Sequence, residues 1–379
     1  MRKVLYFDNA ATTRVDEQTS EIIAEYNSLH YFNPSANYGD AVSLHNEVEN
    51  ARRTILGALK GIGYKLFFLS SGSEGDNLAL FGTKKRKDSN VVISGAEHPA
   101  VYNSAMQLKA MGYDVRISPV DSGGKVSERS LLGCIDANTA FVSVMHVNNE
   151  TGGANDIKSL VGAVKRVYPS VLFHSDGVQA FGKVPVSLAE IGADLYTISG
   201  HKIGAPKGIA ALAVKNGVTL SPMIYGGGQE GGIRSSTENV SGIMALEHCA
   251  TRAISELSSN REKYAEFRKT LWEKIRGIED IIQVSPDDGA PHIFTFAFRK
   301  VRGEVLQHSL ESEGILVGTG SACSARRSHD RIPKALGLGE YSDGIIRVSF
   351  GRENSLDEVR LLALKIVEHY TMLKKYIGK

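Results

Sequence analysis

The sequence predicts an α/β fold with a mainly parallel sheet in a large domain and a smaller α+β domain beside it. Three observations predict it. Between about residues 60 and 225, short apolar runs alternate with helical stretches, the rhythm of βα units. Several runs are unbroken Val, Ile and Phe rather than alternating, which suits strands covered on both faces. The chain, at 379 residues, exceeds what one small core needs and fits two domains. Residues 13–257 are assigned to the large domain, and 1–12 with 258–379 to the small one.

Composition excludes several classes. A net charge of +2, with 42% hydrophobic and 23% charged residues, gives no global pull toward nucleic acid or an anionic membrane. No apolar run approaches bilayer length, and the first residues lack the apolar core of a signal peptide. Three cysteines, an odd number in a long chain, point to reduced thiols and a cytoplasmic protein.

In order, strands are expected at 65–69, 90–94, 114–119, 139–146, 171–175, 195–199 and 209–214, with helices such as 99–111 and 156–168 between them. A glycine-rich turn, Tyr225-Gly-Gly-Gly-Gln-Glu-Gly-Gly232, closes this region. A charged helical stretch over 240–275 bridges to the small domain, where 293–298 and 345–350 read as strands and 356–376 as an amphipathic terminal helix. The basic run Lys84-Lys-Arg-Lys87 has no interleaved aromatic residues and reads as a solvated helix end.

Ligands in such sheets sit beyond the carboxyl ends of the strands, and those ends carry His98, Asn149, Asp176, Gln179, His201 and Lys202. A lone loop lysine is usually solvated. Lys202, however, follows the apolar run Asp194-Leu-Tyr-Thr-Ile198, and Asp176 ends a second such run. An amine to form a Schiff base and a carboxylate to keep a pyridine nitrogen protonated are what pyridoxal phosphate asks of its protein. Ser70-Ser-Gly-Ser-Glu-Gly-Asp-Asn77 opens a helix after a strand, where backbone N–H groups suit an anion. Gly72 permits close backbone approach there, and Ser73 adds a hydroxyl. His98 offers a flat ring to stack on a pyridine. Gln179 and one of the adjacent Asn148 and Asn149 are placed to hydrogen-bond the cofactor's phenolic oxygen; the residues alone do not choose between the two asparagines. No metal ligand is assigned.

Taken together, these segments resemble the pyridoxal-phosphate-dependent cysteine desulfurases, a class V aminotransferase-like family, over nearly the whole chain. The likeness runs through Tyr6-Phe-Asp-Asn-Ala-Ala-Thr-Thr13, Asn33-Pro-Ser35, the Ser-Gly-Ser-Glu cradle, Glu97-His98, Met145-His-Val-Asn-Asn-Glu150, His174-Ser-Asp176 with Gln179, and Ser199-Gly-His-Lys202. It continues with Gly226-Gly-Gly-Gln-Glu230, Arg234-Ser-Ser-Thr237, Gly320-Ser-Ala-Cys323 and Ile346-Arg-Val-Ser-Phe-Gly-Arg352. The resemblance implies an aspartate-aminotransferase-type fold and a homodimer with sites at its interface. By position it implies Lys202 as the cofactor lysine, Asp176 as pyridinium partner, His98 as stacking ring, and Asn149 and Gln179 on the pyridine oxygen. Ser73, Ser199 and His201 would hold the phosphate, joined by Thr237 of a second copy. Arg347 and Asn33 would bind the substrate carboxylate. The chain departs from the family pattern at Gly231, where arginine is usual, at Ser236, where glycine is usual, and in the loop after Cys323.

Cys134 and Cys249 lie in apolar helical contexts and read as core residues. Cys323 sits among Gly318, Gly320, Ser321 and Ser324, beside Arg326, Arg327 and Arg331, where cations favour a thiolate. The family likeness makes it the catalytic thiol, taking a persulfide sulfur from L-cysteine and leaving L-alanine. The three arginines are expected to face an acidic surface of a protein sulfur acceptor. Iron–sulfur assembly, tRNA thiolation and DNA phosphorothioation remain open destinations, and a selenocysteine lyase or another family member is the alternative enzyme.

Overall fold

The computed structural model describes residues 4–319 and 331–377. Its strands are β1 (Leu5–Tyr6), β2 (Tyr64–Leu69), β3 (Asn90–Ser94), β4 (Asp114–Ser118), β5 (Thr139–Ser143), β6 (Leu172–Asp176), β7 (Leu195–Ser199) and β8 (Ala210–Lys215). The later strands are β9 (Ile281–Gln283), β10 (Ile293–Phe298), β11 (Ile315–Leu316) and β12 (Ile345–Ser349). A seven-stranded sheet runs in the order β2-β8-β7-β6-β5-β3-β4. β4, β3, β5, β6 and β7 are mutually parallel, while β8 is antiparallel to both its neighbours.

The unbroken apolar strands are buried on both faces, as their composition requires. Along β3, Val92 joins one core while Val91 and Ile93 join the other; along β8, Ala211 and Ala213 face one side and Ala210, Leu212 and Val214 the opposite one. Helices Gly72–Gly82 and Pro99–Ala110 cover one face, and Gly39–Ala58, Ile157–Val167 and Val240–Ser255 the other. The Ile157–Val167 helix shows how the sequence arranges this. Asp156 caps it by accepting from the Ser159 N–H, and Ile157, Leu160, Val161 and Val164 fall on one buried stripe.

A second core surrounds the antiparallel sheet β12-β10-β9, in which Phe294, Phe296 and Phe298 are fully buried. Leu5 and Phe7 pack into this core, and β1 pairs in parallel with β11. The chain's first described residues therefore lie with its last third. The charged stretch expected as one helix is broken at Glu256 into helices Val240–Ser255 and Leu257–Ile275. The first half packs on the Glu17–Ser28 and Gly39–Ala58 helices, and the second on the terminal Leu356–Ile377 helix. One straight helix would not serve both cores. Among the described residues, no helix is long and apolar enough to cross a membrane.

Candidate active site

β6 and β7 run in parallel register with Asp176 opposite Thr197, so the carboxyl ends of two neighbouring strands deliver Asp176 and Ser199 to one crevice. After β7 the chain turns through a short 3-10 segment, Gly200–Lys202. The Lys202 ammonium donates to the Ala10 and Ala11 carbonyls at 2.5 and 2.8 Å. Gln179 Nε2 donates to the same Ala10 carbonyl at 2.9 Å. Asp176 is 4% exposed and accepts the Val178 N–H at 2.9 Å. Burial pushes its carboxyl up to about 6, opposed by that hydrogen bond and by the nearby Lys202 charge. Above that pH it is an anion facing the end of the sheet.

The Ser70–Asn77 segment expected to cradle a phosphate forms a helix start. Ser71 caps the Gly72–Gly82 helix by accepting the Glu74 N–H, and Ser73 is exposed in the first turn. The N–H groups of Gly72 and Ser73 have no partner within the helix. A Cβ at Gly72 would lie 2.9 Å from Val178 Cγ2 and 3.5 Å from Ser199 Cβ, so this helix start, the loop after β6 and the end of β7 converge. Ser199 is buried at that junction. His201 Nδ1 meets Thr12 Oγ1 at 3.2 Å, and the His201 carbonyl accepts from the Thr13 N–H and hydroxyl. Burial, with Lys202 and Lys207 close by, pulls His201 down to about 4.

His98 caps the Pro99–Ala110 helix, its Nδ1 accepting the Ala100 N–H at 3.1 Å. That bond assigns the ring proton to Nε2. Burial, Lys202 and Arg331 hold the imidazole down to about 4, a neutral flat ring at physiological pH. The two adjacent asparagines differ in their surroundings. Asn148 is fully buried and spends its amide on the Ala96 carbonyl and on the Glu150 and Thr151 N–H groups. The half-buried Asn149 has no side-chain hydrogen bond among the described residues, leaving its amide available to a ligand.

Arg347, on β12, is 4% exposed and reaches the crevice from the second sheet. It donates to the Asn149 carbonyl at 2.9 Å and to Asp8 Oδ1 at 2.7 Å, while its buried Nε has no acceptor among the described residues. Asn33 lies on an exposed loop, its Oδ1 accepting the Ser35 N–H, and Thr237 is exposed too. No described contact links either to this crevice. Their loops touch each other, Ser35 Oγ meeting Glu238 Oε1 at 3.4 Å. Cys323, Arg326 and Arg327 lie outside the described residues. Arg331 corrects the expectation of a solvent-facing charge: it donates to the Gly95 and Glu97 carbonyls and lies 4.2 Å from the centre of the Tyr102 ring. It ties the chain that follows Cys323 to the segment bearing His98. Cys249 is buried and Cys134 half-buried, and burial pushes both thiols up.

The chain matches the Aminotransferase class-V family model over residues 5–362. A cysteine desulfurase IscS of Clostridium botulinum is 34% identical over 371 residues, covering 95% of this chain and 92% of that protein. The chain belongs to the cysteine desulfurase family of class V aminotransferases. Among solved structures, a NifS-like protein superposes with a TM-score of 0.91 at 30% identity, covering 98% of this chain and all of the other. A structure described as SspA in complex with cysteine gives 0.78 at 27% identity over 91% of this chain and 98% of the other.

Within that family frame, four features of the crevice were not read from the sequence. The Ala10 and Ala11 carbonyls hold Lys202, and no side-chain signal marks a backbone acceptor. Tyr196 lies fully buried under the strand ends, its hydroxyl 2.7 Å from His146 Nδ1. Glu97 is fully buried, accepts from the Ser94 hydroxyl and the Met145 N–H, and is pushed up to about 8 by burial. Asp76 is 1% exposed on the helix that carries the cradle; its position in the Ser-Gly-Ser-Glu-Gly-Asp segment was the available signal.

Gly177 explains how Asp176 is held over Tyr196. A Cβ there would lie 2.1 Å from the tyrosine ring. Gly177→Ala is therefore expected to destabilise the protein by about 1–3 kcal/mol, the range for forced overpacking, and to displace Asp176. Chemical denaturation together with a cofactor-binding titration checks this; a native midpoint and native binding would contradict the packing argument.

Proposed function

We propose that the protein takes sulfur from L-cysteine, leaves L-alanine, and uses pyridoxal 5′-phosphate as cofactor, with Cys323 as the thiol that receives the sulfur and passes it to a protein acceptor. The observation that carries this reading is the meeting of Lys202 and Asp176 at the ends of two adjacent parallel strands. The family relationship supports the same chemistry.

The residues fit the cofactor. The unpaired N–H groups of the Gly72–Gly82 helix, with Ser73, Ser199 and His201, make a cradle for its phosphate. Asp176 supplies the counter-charge for a protonated ring nitrogen, neutral His98 a stacking face, and Asn149 with Gln179 amide donors for the phenolic oxygen. Thr237, exposed on one chain, completes the phosphate site of a second copy in a homodimer. When bound, pyridoxal phosphate supplies an electron sink for the substrate's α-carbon.

The chain's own residues do the rest. Lys202 would hold the cofactor through its amine and would carry a proton at Nζ, which the Ala10 and Ala11 carbonyls direct. Arg347 is oriented by Asp8 and the Asn149 carbonyl and holds a buried donor, unpaired among the described residues, for the substrate carboxylate; Asn33 is the proposed second contact. The Cys323 thiolate attacks the substrate sulfur. An S–S bond forms and the C–S bond breaks, its electron pair staying on carbon, which takes up a proton to become the methyl of alanine. Cys323 is left as a persulfide.

Two substitutions separate these roles. Cys323→Ala should bind L-cysteine, read from the cofactor's visible band, yet accumulate no protein-bound sulfur; persulfide formation at native rates would place the nucleophile elsewhere. Arg347→Lys keeps the charge but loses the planar fork. It should raise KM for cysteine roughly 10- to 100-fold, the equivalent of one charged hydrogen bond, whereas an unchanged KM would remove Arg347 from carboxylate binding.

A further inference from the structure

Behind Asp176 lies a second carboxyl that the chemistry above does not use. Gly75 lets the Gly72–Gly82 helix close on β7, since a Cβ there would come 2.8 Å from Thr197 Cγ2. That approach drives the next residue, Asp76, into the sheet, where it is 1% exposed and its Oδ1 has no hydrogen-bond partner among the described residues. Donor atoms of Asp76, Asp176 and His98 all lie within 4.8 Å of one another. Two ionised carboxylates this close in a buried site repel strongly, and one of them keeps its proton.

We propose that Asp76 is the protonated member of a carboxyl pair, a positioning residue that leaves Asp176 as the single anion facing the cofactor's ring nitrogen. One negative charge matches the one positive charge of a protonated pyridine; two would leave an excess charge buried.

The surroundings select which oxygen pair keeps the proton. Asp176 has the Val178 N–H and the Lys202 charge to favour its anion. Asp76 faces Asp176 and Glu97, both of which disfavour a second anion, and burial raises it well above the ordinary carboxylate range against one opposing hydrogen bond from Thr197. His174 Nε2 lies 3.6 Å from Asp76 Oδ1, but this is no ion pair. The imidazole bonds Ser143 Oγ at 2.9 Å and Thr197 Oγ1 at 3.0 Å, and burial pulls it down to about 3. His98 is neutral, and Tyr196, under Asp176, is held protonated by burial.

The role assigned to Asp176 rests on the proposed function; the proton on Asp76 does not, and the experiment keeps the two apart. An acid whose folded pKa exceeds its unfolded pKa loses stability as pH rises from the unfolded value toward the folded one. Asp76→Asn removes that loss and lowers the charge next to Asp176. In the cofactor-free protein, the melting temperature of Asp76→Asn minus that of wild type should grow with pH between 5 and 8, by about 2 °C per pH unit. The infrared spectrum of the wild-type apoprotein at pH 7 should contain a protonated-carboxyl C=O band that Asp76→Asn removes while the Glu97 band remains. A pH-independent loss of stability in Asp76→Asn, or no band lost, would overturn the proposal: Asp76 would then be an anion held by its neighbours. If both signatures appear but Asp176→Asn leaves the visible band of the bound cofactor and its pH response unchanged, the carboxyl pair stands and the ring-nitrogen role of Asp176 falls.

Discussion

A carboxylate buried at the carboxyl end of β6 is the constraint on which the rest of the crevice depends. Asp176 sits in a sheet covered on both faces, and desolvation alone would neutralise it. Its anion survives through two specific neighbours, the Val178 N–H and the Lys202 ammonium. Lys202 is in place because β7 is the adjacent parallel strand and because the Gly200 turn follows it directly. Like charges nearby would undo the arrangement, so Asp76 and Glu97 are raised and His98, His174 and His201 lowered, all chiefly by the same burial. At a separation near 4 Å, one further unpaired charge would cost about 4 kcal/mol at an effective dielectric of 20.

The second sheet matters because it closes this crevice from the other side. Residues 6–13 cross between the two cores. Phe7 packs into the second core, the Ala10 N–H donates to Ser349 Oγ, and the Ala10 and Ala11 carbonyls grip Lys202. Arg347 reaches back from β12 to Asp8 and to the Asn149 carbonyl. The arginine proposed to bind substrate and the lysine proposed to hold the cofactor are thus attached to different sheets and joined by a handful of hydrogen bonds. A shift of one core against the other would move the arginine relative to the lysine.

Much of this was legible in the sequence. Apolar runs located β2 to β8 within a few residues, most clearly for β3, β5 and β7, because strands buried on both faces leave no choice of side-chain pattern. Strand ends then singled out Asp176 and Lys202, which the fold brings to one crevice. What was hidden depended on three-dimensional neighbours. Asn148 and Asn149 are equivalent as letters, and only the turn that absorbs the Asn148 amide separates them. Arg331 looked like a loop charge, yet two carbonyls and the Tyr102 ring hold it. The break at Glu256 has no proline or glycine to announce it and follows from the need to serve two cores. Asp76 was passed over because its meaning arises from Asp176, a hundred positions away in the chain.

The central claim is that Lys202 is the amine that captures a carbonyl cofactor beside an ionised Asp176. Borohydride reduction of the purified, cofactor-loaded protein, followed by peptide mapping, tests it most directly. The account predicts the reduced chromophore on the peptide containing Lys202 and its absence after Lys202→Ala. A chromophore fixed to any other lysine, or none fixed in a protein that retains the cofactor's visible band, would contradict it.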